Sequence, residues 1–200
     1  MKFFLSAFVI ASSLVLPACS GNKPAEEALP VEKPAAKDST RRLAKNYFTD
    51  CHNLYAAARR SDSILLGQTA IDVKSANQAI KDFIDFAYYC QNDSMSPVYL
   101  VKTAQVARSV DNIPQAKVAL DKCIADYPSF KNRPAAIFLL AQLYDEPGYL
   151  NDEQEARRLY QQIIDEYPKS DWAVSAKGAI GFIGLSDRQI MEQLKKKKKK

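Results

Sequence analysis

The chain has one histidine, one tryptophan and only six glycines among its 200 residues. With His52 as the lone imidazole, a serine–histidine–aspartate triad could be built only around that residue. The sequence contains no Gly-x-Ser-x-Gly elbow, no glycine-rich phosphate loop and no His-Glu-x-x-His helix. Cys51 adjoins His52, yet neighbours on a helix point about 100° apart, and no loop is expected there to bring the pair together. A zinc site drawn from Cys51, His52, Cys90 and Cys123 would lack any Cys-x-x-Cys pair. No catalytic residue, metal ligand or cofactor is therefore expected, and no small-molecule substrate. The acid pairs Asp145-Glu146 and Asp152-Glu153 read as solvated turns or as charges at helix N-termini.

Excess charge of one sign is also absent once its distribution is considered. The formal net charge is +5, but six of the positive charges are Lys195 to Lys200 and another is Lys2. Between positions 19 and 194 there are 21 basic and 23 acidic residues, which is close to neutral. That balance excludes a broad basic surface for nucleic acid. The lysine run reads as a solvated end, or as a weak electrostatic hold on anionic envelope polymers.

Long apolar runs are limited to Phe3 to Leu16, too short to span a bilayer as a stable helix. Lys2 precedes this run and Leu16-Pro17-Ala18-Cys19 follows it. The order resembles a bacterial lipoprotein signal with its lipobox. That resemblance implies cleavage before Cys19, residues 1–18 as signal peptide, and a diacylglyceryl group on the Cys19 thiol. Two or more acyl chains on one cysteine give stable anchoring. Ser20 follows the cysteine in place of aspartate, which under the usual sorting rule implies the outer membrane. Ser20-Gly21-Asn22-Lys23 lacks an acidic cluster, so the expected location is lipid-anchored and periplasm-facing.

Residues 20–40 hold Pro24, Pro30 and Pro34 among Ala, Glu and Lys, with few large apolar groups. Such a segment cannot bury a core; residues 19–40 read as a lipidated, disordered tether reaching about 60 Å. Beyond Cys19, three cysteines remain, an odd number that cannot all pair internally. The chain is not expected to be a disulfide scaffold, and Cys123 falls on a predicted buried face as a small core hydrophobe.

The body of the chain repeats itself. Ile124-Ala125-Asp126-Tyr127-Pro128 is echoed by Ile164-Asp165-Glu166-Tyr167-Pro168. Ala116, Leu120, Cys123 and Pro128 keep the same intervals as Ala156, Tyr160, Ile163 and Pro168, and Ala79, Phe83 and Phe86 repeat the first two. Steps of 3 and 4 place these side chains on one helical face. Each proline then ends its helix, because it lacks an N–H and biases its predecessor away from the α region.

Each of these helices has an expected partner upstream, in which Gly67, Ala104 and Ala141 recur every 37 residues. Small residues at these places let two antiparallel helices approach closely. Ser96-Pro97 and Pro134 open helices, with proline where a missing N–H costs nothing. Ser75 with Gln78, Asn151 with Gln154, and Ser186 with Gln189 have capping-box spacing. Asp171 can cap a helix through Trp172, Val174 and Ile180 that covers the end of the stack.

Residues 41–59 read as a helix carrying Leu43, Tyr47, Leu54 and Tyr55. It is an N-terminal cap or the partner of the helix beginning near Ser75, and the even 37-residue spacing favours the cap. Residues 60–185 then form the repeat domain with its capping helix, and residues 186–200 a short helix running into the lysines.

Hairpin units with small crossing residues and a terminal proline resemble the tetratricopeptide repeat, and Leu66-Gly67 is similar to that family's Leu-Gly step. The resemblance implies an all-α, short right-handed solenoid of antiparallel helix hairpins with a C-terminal capping helix. Together with lipobox and tether, the chain resembles the BamD-type small outer-membrane tetratricopeptide lipoproteins. That implies a non-enzymatic periplasmic adaptor binding protein partners of the cell envelope, with a role in envelope or outer-membrane protein assembly. The alternative is an accessory protein binding peptidoglycan or lipopolysaccharide.

In such stacks the first helix of each hairpin lines a concave groove. Gln68, Gln105 and Gln142 follow the small crossing residues and would form a polar ladder that donates to and accepts from a peptide backbone. Lys102 and Phe138 lie nearby, giving apolar pockets flanking one positive charge, suited to a segment with an acidic residue. Finally, Asp38-Ser39-Thr40, Asp62-Ser63-Ile64 and Asp93-Ser94-Met95 resemble the three-residue O-glycan acceptor of some Gram-negative lineages, which marks Ser39, Ser63 and Ser94.

Overall fold

A computed structural model describes residues 36–197, all of its regular structure helical. Eight helices follow one another among the described residues: α1 Ala36–Leu66, α2 Val73–Tyr89, α3 Ser96–Ser109, α4 Ile113–Asp126, α5 Arg133–Asp145, α6 Glu153–Glu166, α7 Asp171–Ile180 and α8 Asp187–Lys197. Each packs on the next from α1 through α7, so the chain forms three consecutive hairpins followed by a covering helix. The signal segment and Cys19 lie outside the described residues. None of the helices is long and apolar enough to cross a membrane.

The repeated triplets do the packing that their spacing requires. Ala79, Phe83 and Phe86 on α2, Ala116, Leu120 and Cys123 on α4, and Ala156, Tyr160 and Ile163 on α6 are all buried. Ala104 and Ala141 are buried on the facing helices α3 and α5. Burying a side chain of Leu or Phe size stabilises by about 1.5–3 kcal/mol, so these rows carry much of the stability. α4 and α6 stop at Asp126 and Glu166, two residues before Pro128 and Pro168.

The first hairpin departs from the expected register. α1 starts at Ala36, runs seven residues beyond Arg59 and packs along α2 as its partner, so it is no detached cap. Gly67 is exposed just past the end of α1, where its N–H donates to the Ser63 and Ile64 carbonyls. The close approach to α2 is made instead by Ala58, Ser61 and Leu65, all buried. Ser61 donates a hydrogen bond to Asp82 on α2. The 37-residue rhythm that includes Gly67 is thus a coincidence: the α1–α2 link spans residues 67–72, against 110–112 for α3–α4.

Cys51 on α1 and Cys90 at the end of α2 form a disulfide, with Cα atoms 5.7 Å apart. The odd cysteine count hid this pairing. Cys123 is the remaining thiol among the described residues and is fully buried, its Sγ 3.7 Å from the Pro97 carbonyl. Burial pushes that thiol up to about 12.

Helix starts follow the expected chemistry with small shifts. Proline occupies the first turn of α3, α4 and α5. Asp72, not Ser75, caps α2 by accepting the Ser75 N–H at 2.9 Å, and its hydrogen bonds to Ser75 hold its carboxyl below the usual range. Asp152, not Asn151, caps α6, accepting from the Gln154 and Glu155 N–H groups. Ser170, not Asp171, caps α7. Half of the Ser186–Gln189 box forms: the Ser186 N–H donates to Gln189 Oε1 at 2.8 Å, but the Ser186 hydroxyl also donates to that oxygen instead of accepting the Gln189 N–H. Asp111 (φ 56°) and Asn151 (φ 50°) take the left-handed conformation immediately before a capping residue, one in each of the last two hairpins.

Candidate functional site

The odd-numbered helices, first of each hairpin, present the side chains from which a groove can be read. α1 offers Tyr55, Arg59 and Asp62, and α3 places Tyr99 and Lys102 beside them. The Lys102 ammonium lies 2.6 Å from both carboxylate oxygens of Asp62. It also stands 6.0 Å from the Tyr99 ring centroid. Below it Tyr55, Phe83, Phe86 and Tyr99 form one aromatic cluster, with centroids 4.9 to 6.1 Å apart. Burial, followed by the field of Asp62, pushes the Tyr99 phenol up to about 12. The positive charge expected of this face is therefore already matched by α1.

Farther along, α3 and α5 hold two cavities. A smaller one of about 230 Å³ is bounded by Ala104, Gln105, Arg108, Leu120, Leu139 and Leu143. The larger, of about 700 Å³, opens between α5, α7 and the start of α8. Phe138, Phe182, Leu185 and Ile190 give it apolar walls, and Gln142 lies on the same lining. Phe138 is wedged between Tyr160 and Trp172, at centroid distances of 5.3 and 5.2 Å.

The rim of this larger cleft is acidic. Asp145, Glu146 and Glu153 all line it, against the single guanidinium of Arg108. Arg108 in turn lies 5.6 Å from the Tyr149 ring centroid. Partial burial, then the charges of Glu146 and Glu153, hold the Asp145 carboxyl above its usual range, opposed by a hydrogen bond with Tyr160 and by the charge of Arg157. The Tyr160 phenol is raised chiefly by burial and then by Asp145.

The three expected glutamines do not form one ladder. Gln105 is exposed on α3 and Gln142 half-buried on α5, in equivalent positions. Gln68 instead lies beyond the end of α1, its amide donating to Asp72 at 2.9 Å and to Ser75 at 3.1 Å. It buttresses the α2 cap because α1 has already ended.

Of the expected acceptor serines, Ser63 is exposed on α1 and donates to the Arg59 carbonyl, and Ser94 is exposed in the α2–α3 turn. Ser39 falls within α1. His52 is exposed on α1 and lines a shallow recess with Tyr55 and Arg59. Among the described residues no group of three His, Cys, Asp or Glu side chains is arranged to hold a metal ion.

Two features escaped the sequence. Asp62 as the partner of Lys102 is 40 residues distant and carries no local signal. The acidic rim joins Asp145-Glu146 to Glu153 across the turn Pro147 to Asp152, whose sequence does not show that its two ends meet.

Residues 135–170, the span from α5 to the start of α7, match the tetratricopeptide repeat family. No curated protein and no solved structure gives a match.

Proposed function

We propose that this stack of tetratricopeptide-type hairpins is a non-enzymatic scaffold that binds a protein segment along α3 and α5. One observation carries the reading: Gln105 and Gln142 stand in register beside two cavities that leave apolar walls uncovered. A groove with two equivalently placed glutamine amides, able to pair with a peptide backbone, and apolar recesses beside them suits a peptide better than a small molecule.

In its finer form the reading makes the chain a lipoprotein anchored through Cys19 to the outer membrane, facing the periplasm. There it would hold together proteins of envelope assembly, as the resemblance to BamD-type lipoproteins implies. The lipobox residues support the anchor.

A photo-crosslinking amino acid placed at Gln105 or Gln142 should trap a protein partner in intact cells. The same probe at Val118, half-exposed on α4, should trap none. Crosslinks from Val118 with none from the glutamines would move the binding surface to the other side of the stack. The lysine run favours a second reading, attachment to an anionic envelope polymer. Cosedimentation with purified sacculi, with and without Lys195 to Lys200, tests it.

A further inference from the structure

The large cleft beside α5 has apolar walls, an acidic rim and one residue of this chain's own C-terminal helix on its lining. Ile190 of α8 lines the cleft together with Phe138 and Phe182. α8 is amphipathic: Ile190, Met191 and Leu194 share one face at helical spacing. It is also cationic, since residues 186–200 carry Arg188 and six lysines against Asp187 and Glu192. Its hold is light. α8 is the least closely packed of the described helices, and Met191 and Leu194 remain 54% and 40% exposed.

The joint leading to α8 is built for one conformation that only glycine accepts easily. Gly184 has φ +77°, and a Cβ there would lie 2.6 Å from a carboxylate oxygen of Glu153. The rim acid Glu153 therefore stands directly against the glycine turn that leads into the cationic helix.

We propose that this cleft accepts an amphipathic cationic helix from a protein partner, and that α8 occupies a portion of the seat until the partner displaces it. The ligand class follows from complementarity. Three carboxylates outnumber the guanidinium of Arg108 on the lining and that of Arg157 acting on Asp145, so the rim attracts Lys and Arg, and the aromatic and aliphatic walls take a neighbouring apolar side chain one helical turn away. α8 itself, with both properties, is the segment of this chain that meets the cleft. An intramolecular occupant competes at a high effective concentration, so it lowers the apparent affinity for a partner of the same chemistry. The charge preference is the reverse of that expected from Lys102, whose ammonium Asp62 already neutralises.

The inference rests on the protein-binding reading above, but its test is separate. Trapping at Gln105 asks whether any protein binds the groove; a peptide titration asks which chemistry the cleft selects and whether α8 competes. The probe is a fluorescein-labelled peptide of residues 186–200, titrated by anisotropy with the full chain. Ile190→Ser with Leu194→Ser, which loosens the resident α8, should bind the peptide about tenfold more tightly than the unaltered chain. Adding Glu146→Gln and Glu153→Gln should remove about tenfold in affinity, and raised salt should weaken binding in the same direction. Ile190→Ala, which keeps helix propensity, should give an intermediate gain and guards against disruption by serine. Equal binding by the unaltered and loosened chains would overturn the role of α8. No binding by the loosened chain, or binding indifferent to the rim glutamines, would overturn the assignment of the cleft.

Discussion

Arg133, the first residue of α5, donates from Nη1 to Glu166 at 2.6 Å and to the Tyr167 hydroxyl at 2.9 Å, at the far end of α6. Its Nε donates to the Ile124 carbonyl on α4. A single guanidinium thus joins the opening of one hairpin to its own close and to the hairpin before it. Tyr127 has a related role in the preceding unit, donating to the Gln91 carbonyl at 3.0 Å. The repeated Tyr-Pro step therefore does more than end a helix, because its tyrosine reaches back to the start of the unit.

The disulfide should matter most to stability. It closes a loop of 39 residues, for which loss of chain entropy predicts about 4 kcal/mol as an upper figure. Cys51→Ser with Cys90→Ala, or reduction of the unaltered chain, should lower stability by about 2–4 kcal/mol in denaturant unfolding. An unchanged midpoint would mean that the α1–α2 contacts suffice alone.

Lys102 and Asp62 invite a double-mutant cycle. Their side chains are 32% and 24% exposed, so solvent screens the pair only partially. A coupling of about 1 kcal/mol is expected, with Lys102→Ala alone costing more than the double Lys102→Ala/Asp62→Ala because it strands a half-buried carboxylate. Additive single effects would show that the pair contributes nothing.

The two left-handed turn residues provide a stabilising change. Asp111→Gly and Asn151→Gly remove a backbone penalty, giving an expected gain of about 0.5–1 kcal/mol at Asp111 and less at Asn151, since asparagine tolerates this region better. Gly184→Ala should act in the opposite sense, by a similar amount or more, because it adds strain and displaces Glu153. Thermal unfolding of the three variants checks the signs.

Asp145 yields a pH dependence. Its folded-state pKa is raised above the ordinary 3.8, so ionising it costs more in the folded chain than in the unfolded one. The penalty is full above the folded value and vanishes below the unfolded value. Asp145→Asn, whose amide oxygen can still accept from Tyr160, should therefore be the more stable protein at neutral pH. Its advantage should shrink as pH falls through the acid range. An advantage constant with pH would assign the effect to packing.

The proposed anchor has a direct check. Cys19→Ala should abolish incorporation of labelled palmitate and leave an uncut or soluble product, whereas unchanged labelling would remove Cys19 as the site. The intact mass of the native protein tests glycosylation at Ser39, Ser63 or Ser94: a value equal to peptide plus lipid excludes it.

The second helices of the hairpins were legible because their signals are local. Ala116, Leu120 and Cys123, like Ala156, Tyr160 and Ile163, advertise a buried face within eight residues and end at a nearby proline. The first hairpin was less legible. Its link is longer, its crossing residues Ala58 and Ser61 belong to no motif, and Gly67 matched a rhythm to which it does not belong. Of the candidate site, Gln105, Gln142 and Phe138 could be placed from spacing. The neutralisation of Lys102 and the acidic rim could not, because each depends on residues that meet only across helices or turns.

The Cys51–Cys90 bond also sets how the molecule bears load. In a stack whose units touch only their neighbours, the terminal hairpin has one supporting side and peels first. Tension arriving from the N-terminal side of α1 meets Cys51 before it reaches Ala58, Ser61 or Leu65. There a covalent path carries it straight to the end of α2, where the Cys90 carbonyl accepts the Ser96 hydroxyl of the second unit. Residues 52–89 are thereby shielded from the pull. A tug on the leading end is thus handed to the second hairpin without first unzipping α1 from α2 between the two cysteines.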